Sequence, residues 1–106
     1  MLIEQRESER KVLKVKAMVT MAGADPFIAR TLDISSSGMS ISVPNPMKVG
    51  ETGQIRFDLF IDGKGTPVTA RAKASYCVFS NGEFKIGFQF LNLDLSAMTI
   101  LAKYLR

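Results

Sequence analysis

TLDISSSG, at residues 31–38, ends one segment with an alternating apolar pattern and begins another. It combines an acid, Asp33, with three serines and a glycine, Gly38. Aspartate and serine favour turns because their side chains can bond nearby backbone groups, and glycine adopts positive φ without steric cost. The stretch therefore predicts a connection between two β-strands.

Alternating apolar residues on both sides of this connection predict six β-strands. Every second residue in each segment is apolar, which is typical of strands that bury one face. Asp-Gly at residues 62–63 and Asn-Gly at residues 81–82 favour tight hairpin turns. The predicted strands lie near residues 11–22, 27–34, 39–43, 54–61, 68–79 and 84–90.

The alternation also predicts which side chains enter the core. In the second strand, Ile28, Leu32 and Ile34 share one face, and Asp33 has the same parity as Ser35. If Leu32 and Ile34 enter the core, Asp33 and Ser35 point outward, because successive side chains of a strand alternate. In the fifth strand the same rule assigns one face to Val68, Ala70, Ala72, Ala74, Tyr76 and Val78.

The last predicted element is a helix over residues 94–106. Asp94 can cap its N-terminus, and Lys103 and Arg106 complement the dipole at its other end. Such a short helix is marginal in water, so we expect it to dock on the sheet. The residues at helical spacing that should face the core are Leu95, Met98, Leu101, Ala102 and Leu105. The predicted fold is mainly β, a small antiparallel barrel or rolled sheet with the helix over one opening.

The length of 106 residues predicts one domain, with residues 1–10 as a mobile arm, 11–91 as the barrel and 94–106 as the helix. No apolar run approaches the roughly 20 residues that span a bilayer, and the N-terminus lacks the apolar region of a signal peptide. The single cysteine, Cys77, suits a reducing compartment. A cytoplasmic location without membrane insertion is expected.

The composition argues against an enzyme. The chain has no histidine, which excludes Ser-His-Asp and Cys-His pairings and histidine-containing metal sites. The carboxylates are scattered among lysines and arginines, so we expect neither a metal nor a cofactor. The net charge of +4 weakly favours an anionic partner.

Two motifs stand in a specific order along the chain. Arg6-x-x-x-Arg10 precedes the first strand, and Asp33-x-Ser35-x-x-Gly38 follows the second. Together they resemble the signature of the PilZ domain family. The resemblance covers nearly the whole chain, since IGFQF at 86–90 and the closing helix are also similar to that family.

The resemblance implies a six-stranded antiparallel β-barrel that binds the bacterial second messenger cyclic di-GMP. Carried over, Arg6 and Arg10 would bind guanine and phosphate, Asp33 and Ser35 would hydrogen-bond a guanine, and Gly38 would shape the turn. The chemistry agrees, because a guanidinium pairs with guanine or grips a phosphate through two parallel bonds. An ionised carboxylate accepts from the N–H donors of guanine. We expect the ligand on the outer wall of the barrel, beneath the arginine arm.

Several further residues bear on this site. Glu7 and Glu9 lie between the two arginines, and two acids beside a dianionic ligand should cost some affinity. Gln5, just before the first arginine, bears on how many ligands bind. Arg71 projects outward, where solvation competes with a phosphate contact. The secondary contacts predicted for the ligand are Gln5, Ser36, Ser37 and Arg71.

Three functions are compatible with these observations. The first is a stand-alone cyclic di-GMP receptor that orders its arm on binding and signals to an unidentified partner protein. The second is an adaptor of the same fold that binds protein without nucleotide, which Glu7 and Glu9 favour. The third, a barrel that binds single-stranded nucleic acid, ranks last because the aromatic residues alternate as core, so no DNA or RNA is expected.

Overall fold

The computed structural model describes residues 10–106, so Arg6 and the rest of the predicted arm before Arg10 lie outside the described residues. The elements in this part of the chain are β1 (Lys11–Val12), β2 (Lys16–Met21), β3 (Phe27–Ile34), β4 (Gly38–Val43), β5 (Thr52–Ile61), β6 (Lys64–Ser80), β7 (Glu83–Leu91) and α1 (Leu95–Leu105).

Six of the strands close into an antiparallel barrel. Each pairs with two neighbours in the order β2, β3, β4, β7, β6 and β5, and β5 pairs back with β2. The short β1 is an extra strand that pairs with the end of β3, where Lys11 lies opposite Ile34 and Val12 opposite Asp33. The predicted fold class, a six-stranded antiparallel barrel with a C-terminal helix, is confirmed.

Two hairpins join strands through the turns that the sequence predicts. Asp62 and Gly63 have φ angles of 53° and 79°, and Asn81 and Gly82 have φ angles of 52° and 82°. Positive φ at both central residues is the geometry of two-residue hairpins whose twist matches the flanking strands. These turns fix the registers of β5 with β6 and of β6 with β7.

The barrel interior is filled mainly by aliphatic side chains. Phe57 and Phe88 are also buried, as the alternation predicts, and so are not available as stacking platforms for nucleic acid. The hydrophobic side chains with relative exposure of 0% are Val19, Ile34, Met39, Ile41, Ile55, Leu59, Ala72 and Ile86.

The first predicted strand is interrupted between Val12 and Lys16. The cause is Thr31, which is fully buried and whose hydroxyl takes up backbone groups of the interruption. Its Oγ1 donates toward the carbonyl oxygens of Leu13 at 2.5 Å and Val15 at 3.1 Å, and accepts from the Val15 N–H at 2.9 Å. A side chain therefore replaces part of the strand ladder, and β1 separates from β2.

The predicted faces of β3 are wrong over most of the strand. Ile28 is 56% exposed and Leu32 is half-buried, whereas Thr31 is fully buried and only Ile34 enters the core as predicted. The pairing of β3 with β4 shifts register between Thr31 and Asp33. A bulge of this kind inserts one extra residue and inverts the alternation of the side chains that follow it.

A second irregularity changes the faces of β6. Ala74 is buried as predicted, but Tyr76 is 39% exposed and Val78 is 47% exposed, so both predictions are wrong. The pairing with β7 shifts between Ala74 and Tyr76. Beyond this shift Cys77, which the alternation placed outward, packs against the core.

The helix α1 packs on the barrel against β5 and β6. Asp94 is its N-cap, as predicted, and accepts from the backbone N–H of Ala97 at 2.8 Å.

The buried face of α1 differs from the predicted one. Ala97 and Leu101 are buried, but Leu95 is 77% exposed and Met98 is 51% exposed, so the predicted burial of Leu95 and Met98 is wrong. Ala102 is exposed too, whereas the partly buried residues of the docked face are Ile100, Tyr104 and Leu105. A helix with apolar residues around most of its circumference offers two similar stripes, and periodicity alone does not choose between them.

Candidate functional site

The pairing of β1 with β3 brings Arg10 to Asp33. Arg10 immediately precedes β1, and its Nε and Nη2 lie 3.1 Å and 3.0 Å from Oδ1 of Asp33. Its Nη1 donates to the hydroxyl of Ser35 at 3.5 Å. Three of the predicted site residues therefore meet at the end of β3, although they are far apart along the chain.

The carboxylate of Asp33 is bonded asymmetrically. Its Oδ1 also accepts from the hydroxyl of Ser40 at 2.8 Å, in addition to the two contacts from Arg10. Its Oδ2 lies 4.0 Å from Nζ of Lys85 and accepts no hydrogen bond from residues 10–106. The side chain is 23% exposed. Oδ2 is therefore the oxygen of Asp33 that a ligand can reach as an acceptor.

Ser35 is fully buried, so the prediction that its side chain points outward is wrong. Its backbone N–H donates to the carbonyl oxygen of Gly38 at 2.8 Å, and its hydroxyl accepts from the backbone N–H of Ser37 at 3.2 Å. These bonds close the connection between β3 and β4 into a compact turn. Ser35 thus builds the turn and supports the Arg10 guanidinium from below, while Ser36 and Ser37 are exposed on its rim.

The position of Gly38 requires glycine because a neighbouring strand leaves no room for a side chain, and not because its backbone is left-handed. It does not have positive φ, but a Cβ added to it would overlap the backbone carbonyl oxygen of Phe88 on β7. The carbonyl oxygen of Ser37 accepts from the N–H of Phe90 at 2.8 Å, which holds the turn against the same strand. The glycine of the second motif therefore permits close packing of β4 on β7.

A cavity of about 280 Å³ adjoins the Arg10–Asp33 group. It lies over β4, β6 and β7, where these strands pair next to the turn. Its lining consists of Arg10, Ser37, Gly38, Ser75, Tyr76, Gly87, Phe88 and Gln89. The cavity extends the candidate site beyond the two sequence motifs.

Sequence reasoning missed four residues of this region, namely Ser40, Lys85, Tyr76 and Gln89. Strand parity places Lys85 on the face opposite the buried Ile86, which was the one available signal for it. Their place in this region depends on the pairing of β4 with β7 and of β7 with β6, and alternation within a single strand does not reveal that pairing.

The remaining predicted contacts are Gln5, Arg6 and Arg71. Gln5 and Arg6 are outside the described residues. Arg71 is exposed on β6 and lines a different surface hollow, together with Thr20 and Gln54, that has no lining residue in common with the cavity at Arg10. The structure thus brings together Arg10, Asp33, Ser35 and Gly38, and it does not bring Arg71 to them.

Lys11, the residue after Arg10, connects the site to the helix. Its Nζ donates to the carbonyl oxygen of Tyr104 at 2.8 Å and lies 4.5 Å from the centre of the Tyr104 ring. A cation at the C-terminal end of a helix satisfies an unpaired carbonyl and interacts favourably with the helix dipole. The segment that carries Arg10 is therefore fastened on one side to β3 and on the other to α1.

No helix among residues 10–106 has the length and apolar character needed to cross a bilayer. Within that range, no three or more His, Cys, Asp or Glu side chains cluster in a way that could hold a metal ion.

Comparison with known proteins identifies relatives of this fold. The family model described as "PilZ domain" matches residues 4–106. No curated protein matches the chain.

Among solved structures, the Bacillus subtilis inhibitor of motility MotI/DgrA superposes with a TM-score of 0.86 at 12% identity, over 97% of this chain and 50% of that one. The PilZ domain of YcgR from Escherichia coli with c-di-GMP superposes with a TM-score of 0.71 at 16% identity, over 94% of this chain and 88% of that one. PlzA of Borreliella burgdorferi in complex with c-di-GMP superposes with a TM-score of 0.68 at 16% identity, over 96% of this chain and 41% of that one. The chain spans half of MotI/DgrA, and at identities of 12–16% the TM-scores show a shared fold and no more.

Proposed function

The chain belongs to the PilZ domain family, and from this premise we propose that it is a receptor for cyclic di-GMP that acts on a partner protein. The observation that carries the proposal is the meeting of Arg10, Asp33 and Ser35 at the end of β3. Two structures of similar fold, YcgR and PlzA, contain c-di-GMP. Their ligand supports the same ligand class for this chain.

The chemistry of the group suits a ligand with two guanines and two phosphates. Oδ2 of Asp33 can accept from an N–H on the Watson–Crick edge of guanine. A guanidinium has five N–H donors, and three of those on Arg10 are directed at Asp33 and Ser35. The other two are available to a phosphate, so Arg10 can bind the ligand and still orient Asp33.

The Arg10–Asp33 pair must adjust when the ligand binds, and the cost of that adjustment is small. The side chains of Arg10 and Asp33 are 43% and 23% exposed, so water screens their attraction. Exposed ion pairs contribute about 0–1 kcal/mol. A charge-assisted bond to phosphate or guanine therefore outweighs whatever part of the pair is lost.

We further propose that the N-terminal arm orders over the ligand. Arg6 would then supply the second guanidinium, and the ordered arm together with the barrel would form a new surface for the partner. Hydrogen exchange tests this directly, because the amides of residues 1–9 should be protected only when cyclic di-GMP is present. Equal exchange with and without ligand would reject the proposal that the arm orders on binding.

The role proposed is binding without catalysis, carried out by the 106-residue chain by itself in the cytoplasm. The chain contains no histidine, so the common acid–base and nucleophilic arrangements that use imidazole are not open to it. A receptor of this kind passes on its signal through contact with another protein.

Calorimetry on the 106-residue chain tests the proposed function. Cyclic di-GMP should give saturable heat, and Arg10→Ala should reduce it while Arg56→Ala, an equal loss of charge on the exposed face of β5, should not. No heat with high micromolar cyclic di-GMP would reject the receptor function. The adaptor function would then stand, supported by a partner that binds regardless of nucleotide.

A further inference from the structure

We infer that the side of the barrel opposite the candidate site binds an acidic face of the partner protein. The inference rests on the proposed function for the existence of a partner, and it names the chemistry of that partner. In the closed order of strands, β2 and β5 lie opposite β4 and β7. The outward faces of β3, β2, β5 and β6 form a basic surface there, whose exposed cations are Arg30, Lys16, Arg56 and Arg71.

The strand registers place these cations next to one another. Arg30 on β3 lies directly opposite Lys16 on β2. Lys16 and Arg56 are diagonal neighbours across β2 and β5, and so are Arg56 and Arg71 across β5 and β6. Opposite side chains have Cβ atoms about 4.5–5.5 Å apart and diagonal ones about 7–8 Å apart. Like charges directly opposite one another destabilise a sheet, so this arrangement has a cost that the fold alone does not explain.

The described part of the chain does not neutralise this surface. None of the four cations forms an ion pair with a residue from 10 to 106. Asp58, an acid on the outward face of β5, forms no ion pair with a residue of that range either. A partner with several carboxylates would therefore gain attraction and relieve the repulsion between Arg30 and Lys16.

Two exposed apolar side chains lie among the cations. Met18 is 42% exposed and Ile28 is 56% exposed, and they lie directly opposite one another on β2 and β3. Methionine and arginine are enriched in protein–protein interfaces relative to the rest of the surface. An acidic partner that carries apolar side chains between its carboxylates would cover both residues.

Arg71 adds a recess to the basic surface. It lines a hollow of about 550 Å³ together with Thr20 and Gln54. Asp25 also lines this hollow but forms no ion pair with Arg71, so the guanidinium is available. Because a guanidinium binds a carboxylate through two parallel bonds, a glutamate or aspartate of the partner can anchor there.

Shape and composition favour a protein over the two other anionic partners, a bilayer and nucleic acid. A flat bilayer would touch the convex barrel along one strip and leave the hollow at Arg71 empty. Single-stranded nucleic acid binds where aromatic rings stack on bases beside the cations. The exposed ring of Phe60 is separated from Arg56 along β5 by Asp58, whose charge repels phosphate.

The probe for this surface is a peptide of four Glu-Glu-Leu repeats, titrated into the 106-residue chain without nucleotide. Amide NMR shifts should appear on β2 and β5, and added salt should weaken binding because exposed charges are screened over about 8–10 Å at physiological ionic strength. A peptide of glutamate alone should bind more weakly, since it offers no apolar contact to Met18 and Ile28. A peptide of four Lys-Lys-Leu repeats should not bind.

Lys16→Glu combined with Arg56→Glu should lower the affinity for the Glu-Glu-Leu peptide at least about 10-fold. An exposed ion pair contributes up to about fivefold, and each reversed charge adds repulsion. The double variant should melt no lower than wild type, because it removes the like-charge contacts with Arg30 and Arg71. Lost binding is thereby distinguished from lost stability.

The control is Lys48→Glu combined with Lys64→Glu, an equal change of charge at exposed positions outside the basic surface. It should keep the affinity for the peptide within about threefold, since distant exposed charges are screened. If it weakens the peptide as much as the first double variant does, the attraction is to net charge and the inference is rejected.

Other outcomes also reject the acidic partner. They are no binding of the Glu-Glu-Leu peptide, or binding to phosphatidylserine vesicles or a DNA duplex in its place. The receptor function is tested separately, because the variant with Lys16→Glu and Arg56→Glu should bind cyclic di-GMP as wild type does. A variant that loses both the peptide and cyclic di-GMP would show a structural effect and reject the basic surface.

Discussion

Asp33 shows how much of the site depends on the placement of single side chains. Alternation predicts correctly that its carboxylate is accessible, but its partners Ser40 and Lys85 come from two other strands. Ser40 and Arg10 contact Oδ1, whereas Oδ2 lies 4.0 Å from Nζ of Lys85 and is the oxygen that an incoming donor can reach. The first motif alone predicts Arg6 and Arg10 as binding residues, and of the two only Arg10 lies among the described residues.

Arg10→Ala should lower the affinity for cyclic di-GMP about 10- to 150-fold. Hydrogen bonds to charged groups contribute about 1.5–3 kcal/mol, and truncation also removes the donors that orient Asp33. Isothermal titration measures the change. Arg10→Lys should recover only part of the loss, because an ammonium cannot make two parallel bonds. Full affinity in Arg10→Ala would show that Arg10 does not contact the ligand.

Gly38→Ala should destabilise the fold by about 1–3 kcal/mol, the usual cost of forcing extra atoms into a packed site. The new Cβ would overlap the backbone oxygen of Phe88, which cannot move without disturbing β7. Gly65→Ala is the matched control, since its nearest neighbour would be Phe60 at an ordinary 3.6 Å. Thermal unfolding compares the two. Equal melting temperatures would mean that β4 and β7 have room to separate.

At the scale of elements, hydrophobic periodicity predicts the strands well and their faces less well. The first predicted strand is divided because the Thr31 hydroxyl bonds three backbone groups of Leu13 and Val15. Bulges at Thr31/Asp33 in β3 and Ala74/Tyr76 in β6 invert the faces that follow. Both bulges border the candidate site. An extra residue in one strand cannot be recognised from the sequence pattern of that strand, because a bulge is defined by its pairing with the partner strand.

Thr31→Val should destabilise the chain by about 1–3 kcal/mol, although the two side chains have nearly the same shape. Thr31 is fully buried, and removal of its hydroxyl leaves backbone groups of Leu13 and Val15 without a partner. Thr69→Val, at an exposed position of β6, is the control. Chemical denaturation gives both values. A stable Thr31→Val variant would show that the β1–β2 connection finds other hydrogen bonds.

The docked face of α1 can be tested with a pair of substitutions. Leu101 is 4% exposed, so Leu101→Ala should cost about 2–5 kcal/mol, whereas Met98 is 51% exposed and Met98→Ala should cost much less. Differential scanning calorimetry on both variants measures the difference. The opposite order would mean that the helix docks through the stripe that periodicity first favoured.

At the scale of the whole molecule, barrel closure assembles the site from distant parts of the chain. Arg10, Asp33 and Lys85 meet because β1 pairs with β3 and because β4 lies between β3 and β7. The fold class could be predicted from the sequence, and so could the connection between two strands that Asp33-x-Ser35-x-x-Gly38 forms. The place of the Tyr76 ring on the outer wall could not be predicted, because it depends on a register shift in β6 and on Gly87 of the neighbouring strand.

If cyclic di-GMP binds as proposed, it contacts the outer wall of the barrel at the turn between β3 and β4. A titration with cyclic di-GMP followed by amide NMR shifts tests this contact residue by residue, because every residue from 10 to 106 except proline carries its own backbone N–H. The expected shifts cluster at residues 33–38, at Arg10 and along β7 near Gly87, with little change on the outer face of β5. Shifts centred on β5 or on the hollow at Arg71, or none at high micromolar ligand, would contradict it.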